Sequence, residues 1–342
     1  MPFIDSDTLF KNSKISLINT RQKRYNNVRY KAEIKCDRYI LTSEQGKLEM
    51  DIFDEVVLSI IGKYKFCPLW LAKQWYETNT TTAIGVDNES KIRKFIDFGL
   101  LYAFPSTVAT FLMPTERLAS ILDIRLGEFT NPPYNTLTHT ISEEQVMFEC
   151  LTGKAKYLEG INCIPYISIW GIGAIGCCCI PEIDYSIRNS YFNNHIEEFN
   201  DQEANLAKEM LSGNIVTTAD FKELKMTIHK KQSQHKYGLK IPDLAVLATR
   251  KLVGNIAMPQ SIALEVELTN KGVEKYIDIF EIYWNNLKYG RVVYLVNDKK
   301  TRDCLVKAYK TVWNRHINDD KTCEFKLVEF VVPYDRTQLG SI

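Results

Sequence analysis

Three stretches between residues 50 and 100 repeat apolar positions at helical spacing. In MDIFDEVVLSIIGKY the residues Ile52, Phe53, Val56, Val57, Ile60 and Ile61 fall on one stripe, which predicts an amphipathic helix. PLWLAKQWYET follows, with Pro68 where a first helical turn tolerates proline and Leu69, Leu71, Ala72 and Trp75 as its apolar face. A turn then leads to a third helix capped by Asp87 or Asn88, with Ile92, Phe95, Ile96 and Leu100 inward and Gly99 as its stop. LLYAFPSTVATFLMP reads as two short strands around Pro105–Ser106. Three short helices and a hairpin in this order predict an N-terminal winged helix-turn-helix domain over residues 46–130. The third helix of such a domain enters the major groove. Its outward residues here are Asn88, Ser90, Lys91, Arg93 and Lys94, types suited to phosphates and base edges. The competing reading is a winged helix that touches other proteins, its basic residues forming a solvated face.

ERLASILDIRLGEF predicts one more helix, and Pro132–Pro133 predict a domain boundary, so that residues 131–342 form a second, α/β domain. THTISEEQVMFECLTGKAKYL is expected as its first helix, with Glu143 and Glu144 in the first turns, where carboxylates suit the helix dipole. His139 precedes that helix in a capping or packing role. The apolar window INCIPYISIWGIGAIGCCCIPEI is interrupted by Pro165, Gly171, Gly173 and Gly176, which predicts a buried hairpin and not a membrane span. The polar stretch near 193–236 reads as a helical insertion. Beyond it, IPDLAVLA, SIALEVEL, RVVYLVND and FKLVEFVVP read as strands. VEKYIDIFEIYWNNLKY and TRDCLVKAYKTVWNRHI read as helices between the later ones, an alternation that predicts a partly parallel sheet.

Composition changes this picture little. With 45% hydrophobic and 25% charged residues in 342, the chain is an ordinary globular one, and a net charge of +1 alone implies no polyanionic partner. The charge is uneven, however. Between Lys11 and Arg38 the basic residues, Arg21, Lys23 and Arg24 among them, face only Glu33 and Asp37, so residues 1–45 read as a basic arm. Such an arm either follows a phosphate backbone or is a solvated terminus. The 9 cysteines include no C-x-x-C pair, and the run Cys177-Cys178-Cys179 is expected as free thiols in an apolar strand, with no zinc. No signal-peptide pattern opens the chain, so a cytoplasmic location without a membrane partner is expected.

The candidate chemistry lies in carboxylates. In SIALEVEL, Glu265 and Glu267 alternate with Leu264, Val266 and Leu268, so both glutamates point to one face of a strand. Asp243 opens the preceding strand. Carboxylates on a face covered by helices lose hydration and repel one another unless a cation or hydrogen-bond donors compensate. Bound Mg²⁺, with Asp243 and Glu265 as ligands, is one resolution. The other is a half-exposed strand with Lys271 or Lys275 paired to the glutamates.

Pro242-Asp243 followed by Glu265-Val266-Glu267 resembles the PD-(D/E)XK nucleases. That resemblance implies a restriction-endonuclease-like α/β domain in which Asp243, Glu265 and Glu267 are the catalytic positions. The lysine usual at the last position is replaced by Glu267, with Lys240 or Lys271 as a displaced cation. The wider pattern, KFIDFGLLYAF, TFLMPTERLASIL, HTISEEQV, PDLAVL and LEVELTNK, is similar to the replication-relaxation family of mobile-element proteins over about residues 45–310. The family's E-x-D becomes Glu265–Glu267, and its acidic position on the HTISEEQV helix is Gln145. The resemblance implies a protein of a plasmid, phage or integrative element that binds double-stranded DNA. It implies action in replication, relaxation or their control, with replication or relaxation proteins and a second copy of the chain, as a homodimer, as further partners. A Mg²⁺-dependent endonuclease and an interaction module without DNA binding are the alternatives; no organic cofactor is expected.

Overall fold

The computed structural model describes residues 31–35, 38–43, 46–78, 88–106, 109–122, 134–161, 163–168, 174–181, 242–248, 251–253, 256–258, 261–285 and 289–316. Its architecture is mixed α/β. The chain divides into two compact units. Unit 1 comprises Met1–Glu144, Ile167–Ile175 and Tyr334–Ile342; unit 2 comprises Gln145–Tyr166 and Gly176–Pro333.

Unit 1 opens with an antiparallel sheet of β1 (Lys31–Lys35), β2 (Arg38–Ser43) and β3 (Gly46–Met50). The last part of the expected basic arm is therefore strand: Lys31, Lys35 and Arg38 stand in the β1–β2 ladder. Arg21, Lys23 and Arg24 lie outside the described residues.

The stretches with helical periodicity become α1 (Ile52–Tyr64), α2 (Leu69–Thr78) and α3 (Asn88–Asp97). Asp51 starts α1 through a reciprocal cap: its carboxylate accepts from Asp54 N at 2.9 Å, and Asp54 Oδ2 accepts from Asp51 N at 3.0 Å. Pro68 falls in a two-residue strand, β4 (Cys67–Pro68), and α2 begins just after it. After α3 come β5 (Leu101–Pro105) and β6 (Thr110–Pro114), in a sheet of order β4-β6-β5. Thr115 then caps the short helix α4 (Glu116–Ile121), accepting from Leu118 N at 3.2 Å. Val56, Ile60, Leu71, Trp75, Ile92 and Phe95 are buried, as their stripes predict, and so is Leu112 of β6. Each contributes on the order of 2 kcal/mol through apolar surface removed from water.

Helix α5 (Tyr134–Leu151) starts directly after Pro133, earlier than its polar pattern suggests. The boundary between units falls within it, between Glu144 and Gln145, and not at the proline loop. The stretch expected as a buried hairpin holds β7 (Tyr166–Ile167) and β8 (Ala174–Ile175), with Tyr166 and Ile175 half-buried and Ala174 exposed, while 169–173 lie outside the described residues. Its strands are too short to present a continuous apolar face.

Unit 2 is built on a four-stranded sheet. Its strands are β9 (Cys179–Pro181), β10 (Leu244–Val246), β13 (Ser261–Glu267) and β14 (Tyr289–Val296), in the order β14-β13-β10-β9. A small hairpin, β11 (Lys251–Val253) and β12 (Ile256–Met258), separates β10 from β13. The pairs β9–β10 and β10–β13 are antiparallel, whereas β14 runs parallel to β13. A parallel return needs a crossover, and α6 (Val273–Asn285) supplies it. Asp298 caps the following helix, α7 (Lys299–His316), accepting from Thr301 N at 2.9 Å. Tyr276, Phe280, Leu305, Ala308 and Val312 of these two helices share one core with Ala245, Ala263, Val292, Tyr294 and Val296. The segments 193–236 and 325–333 lie outside the described residues.

One glycine is forced by close approach. Gly176 has φ +49°, and a Cβ there would lie 2.3 Å from the carbonyl oxygens of both Cys150 and Leu151 at the end of α5. Backbone cannot move aside as a flexible side chain does. Gly176→Ala is expected to lower the unfolding free energy by about 2–4 kcal/mol, read from the urea midpoint at unchanged slope.

Candidate functional site

The carboxylates of unit 2 stand on the helix-covered face of its sheet. Glu265 and Glu267 share the side of β13 that carries Ala263, and the ladder pairs these three residues with Tyr294, Val296 and Val292. Ala263, Val292, Tyr294 and Val296 belong to the core beneath α6 and α7, so the glutamates point into it. Both are buried, at 3% exposure. Continuing the Leu244↔Leu264 register by one residue sets Asp243 opposite Glu265. Asp243 Oδ2 accepts from Val266 N at 2.7 Å, which fixes it against the backbone between the two glutamates.

Each carboxylate has a donor. Tyr283 OH, from α6, donates to Glu265 Oε1. Lys271 Nζ lies 2.7 Å from Glu267 Oε2. The turn that brings Lys271 back is held by Tyr276, whose hydroxyl accepts from Lys271 N and donates to Thr269 O, both at 3.1 Å. Gly272 completes that turn at φ +85°, its N–H donating to Asn270 Oδ1 at 2.8 Å. Tyr294 also lies in the field of this group. Burial first, then Glu265, Glu267 and Asp243, push its pKa well above the usual tyrosine value, so the hydroxyl stays protonated. That hydroxyl is buried without a hydrogen-bond partner. Carboxylate oxygens suit a hard divalent cation such as Mg²⁺ better than a soft metal, but the three carboxylates do not bring their oxygens within 4.8 Å of one another as one group. Lys240 lies outside the described residues.

The third helix of unit 1 differs from expectation at one residue. Lys91 turns inward: its Nζ lies 2.7 Å from Asp54 Oδ2 and donates to Glu49 O at 2.7 Å. Tyr76 OH donates to Asp54 Oδ1 at 2.8 Å, so one buried carboxylate ties α1, α2 and α3 together, and Lys91 adds β3. Lys91 therefore acts in folding and is not available to a groove. Lys94 is exposed, Arg93 is half-buried with Asp97 in its field, and Ser90 is half-buried. Asn88 opens the helix.

Three features escaped the sequence reading. His139 lies inside α5 and not before it, its Nδ1 2.7 Å from Glu143 Oε1 one turn on. Glu144, expected in a first turn, is mid-helix and fully buried, and burial pushes its pKa well above the usual carboxyl range. Its carboxyl lies beside the Cys67 thiol. The early start of α5 behind Pro133 was the available signal. The third is the outer surface of α7, where Lys299, Lys300, Arg302, Lys307, Lys310 and Arg315 are exposed against one exposed acid, Asp303. That excess was legible in KKTRD and KAYK.

Among family models, curated proteins and solved structures, none matches the chain. The chain is thus a mixed α/β protein in which two buried glutamates and the half-buried Asp243 share one face of the unit 2 sheet. No helix among the described residues is long and apolar enough to cross a membrane.

The Asp54 knot sets a pH dependence. Burial, then Asp51, raise the Asp54 pKa from 3.8 to about 6, outweighing the lowering by Lys91. The folded state then binds a proton more tightly than the unfolded chain. The stability this contributes is complete below about pH 4 and is lost as pH rises through about 6. Asp54→Asn keeps the cap but cannot titrate. Relative to this variant, the wild type is expected to lose about 2.4 kcal/mol between pH 4 and pH 7 in urea unfolding.

Proposed function

We propose that the chain is a DNA-binding protein of a plasmid, phage or integrative element, acting in its replication or relaxation or in their control. Unit 1 serves as a winged helix-turn-helix and unit 2 as a PD-(D/E)XK-type core. The observation that carries this reading is the strand arrangement of unit 2. Three antiparallel strands, a crossover helix and a parallel fourth strand set Asp243 opposite Glu265, with Glu267 on the same face. A core of that layout handles a phosphodiester backbone in the nucleases it resembles. The helix-strand-helix-helix-hairpin order of unit 1 and the exposed basic residues of α7 support a duplex partner.

If the reading is right, duplex affinity falls steeply with salt. Arg93→Ala/Lys94→Ala then weakens binding of all sequences and lowers the slope of log K against log salt by about 1–2. Fluorescence anisotropy across a salt series checks this. Lys91 is left intact, since removing it strands Asp54 in the core. No duplex binding at low salt would leave the interaction-module reading.

One observation favours a second reading, a Mg²⁺-dependent endonuclease: Lys271 returns a cation to the position where the usual lysine has become Glu267. Asp243 and Glu265 would hold the metal, whose charge would stabilise the attacked phosphate. Glu267, oriented by Lys271 Nζ, would take the proton of the attacking water at its carboxylate, while Tyr294 OH would donate to an oxygen of the site. Calorimetry with Mg²⁺ or Mn²⁺ tests the site. Binding in the wild type that is lost in Glu265→Ala and in Asp243→Ala supports it. No binding up to millimolar metal, with or without duplex DNA, overturns the nuclease reading but leaves the DNA-binding one standing.

A further inference from the structure

Unit 2 also gathers cysteines that neither the carboxylate site nor DNA binding uses. Cys150, at the end of α5, Cys163, Cys177 and Cys179 come from three separate stretches of chain. Backbone bonds hold these stretches in register. Cys177 N donates to Cys150 O at 2.8 Å, and Cys178 N donates to Ile164 O at 2.7 Å. Leu247 N donates to Cys178 O at 2.9 Å, and Ile164 N donates to Leu247 O at 2.8 Å, closing a ring of three segments. Cys163 is bridged to Ala248 beside this ring. The close approach that requires Gly176 places Cys177 at the same spot.

The thiols sort into two pairs. The Cys163 and Cys177 side chains interact, each one residue from the bond of Cys178 N to Ile164 O, and both residues are half-buried, within reach of a small solute. Cys150 pairs with Cys179, and both are fully buried, with Tyr157 OH 3.6 Å from Cys150 Sγ. We propose that Cys163 and Cys177 are an oxidant-sensing thiol pair, in which a hydroperoxide closes a Cys163–Cys177 disulfide beside the β9–β10 edge. Interaction with Cys163, against burial, lowers the Cys177 pKa from 9.0 to about 7, the direction that favours the nucleophilic thiolate. Cys163 shifts the opposite way.

The chemistry balances. The Cys177 thiolate attacks one oxygen of hydrogen peroxide; the S–O bond forms, the O–O bond breaks, and the departing hydroxide takes a proton to leave as water. Cys177 is now a sulfenic acid. Cys163 sulfur attacks Cys177 sulfur, the S–S bond forms, and the S–OH bond breaks with the Cys163 proton leaving in a second water. Two thiols lose two electrons, which reduce one peroxide to two waters.

The test uses the full-length, freshly reduced protein and hydrogen peroxide at one to ten equivalents. After non-reducing chymotryptic digestion, which cuts between Cys163 and Cys177, mass spectrometry is expected to show the 163–177 linked peptide as the main product. At pH 7, iodoacetamide is expected to label Cys177 about tenfold faster than Cys163 or Cys179. In Cys163→Ser, Cys177 is expected to accumulate as a sulfenic acid that dimedone traps, which the wild type shows only transiently. The wild-type digest alone overturns the proposal if the link is Cys150–Cys179, if it joins two chains, or if no disulfide forms. So does one equivalent of protein-bound zinc in the reduced protein that blocks oxidation.

Discussion

A carboxylate placed where an apolar core would otherwise close constrains how unit 2 can be assembled. Glu265 points from the central strand toward α6 and α7, and without a donor its charge would cost several kcal/mol in that environment. Tyr283 supplies the donor from α6, so the crossover helix has one rotation in which the core is satisfied. The same helix sends Tyr276 back to the turn that carries Lys271, and Lys271 meets Glu267. The parallel strand β14 then sets Tyr294 beside the same carboxylates. Packing and site are in this way one network, and loosening α6 would loosen both glutamates.

Unit 1 solves the same problem with different partners. Asp54 is buried at the start of α1, where it completes a cap, and takes a tyrosine from α2 and a lysine from α3. Here burial outweighs the ion pair and raises the acid's pKa to about 6. The consequence reaches function: the helix expected to face a groove gives one of its three basic residues to the interior. Recognition by that helix would rest on Arg93 and Lys94, with the outer surface of α7 as a second basic surface on unit 2.

Much was legible in the residues alone. Helical periodicity located α1, α2, α3, α6 and α7, because burial of one face repeats every three or four residues. Strict alternation put Glu265 and Glu267 on one face, because a strand's side chains alternate whatever its neighbours. The start of α5 was misplaced, since Pro132–Pro133 read as a loop, although a proline also stands well just ahead of a helix. That error carried His139, Glu143 and Glu144 to the wrong turns.

Tertiary structure alone decided which face of β13 is covered, where Lys91 points and which cysteines meet. Sequence periodicity tells that two residues share a side; it carries no information on what packs against that side. Asp54 with Lys91, Tyr283 with Glu265, and Cys163 with Cys177 are pairings between distant segments, set by the angle at which elements pack and by the demand that buried polar groups find partners. The residue types and their local spacing were thus written in the chain. The donor each buried group finds was chosen by the fold.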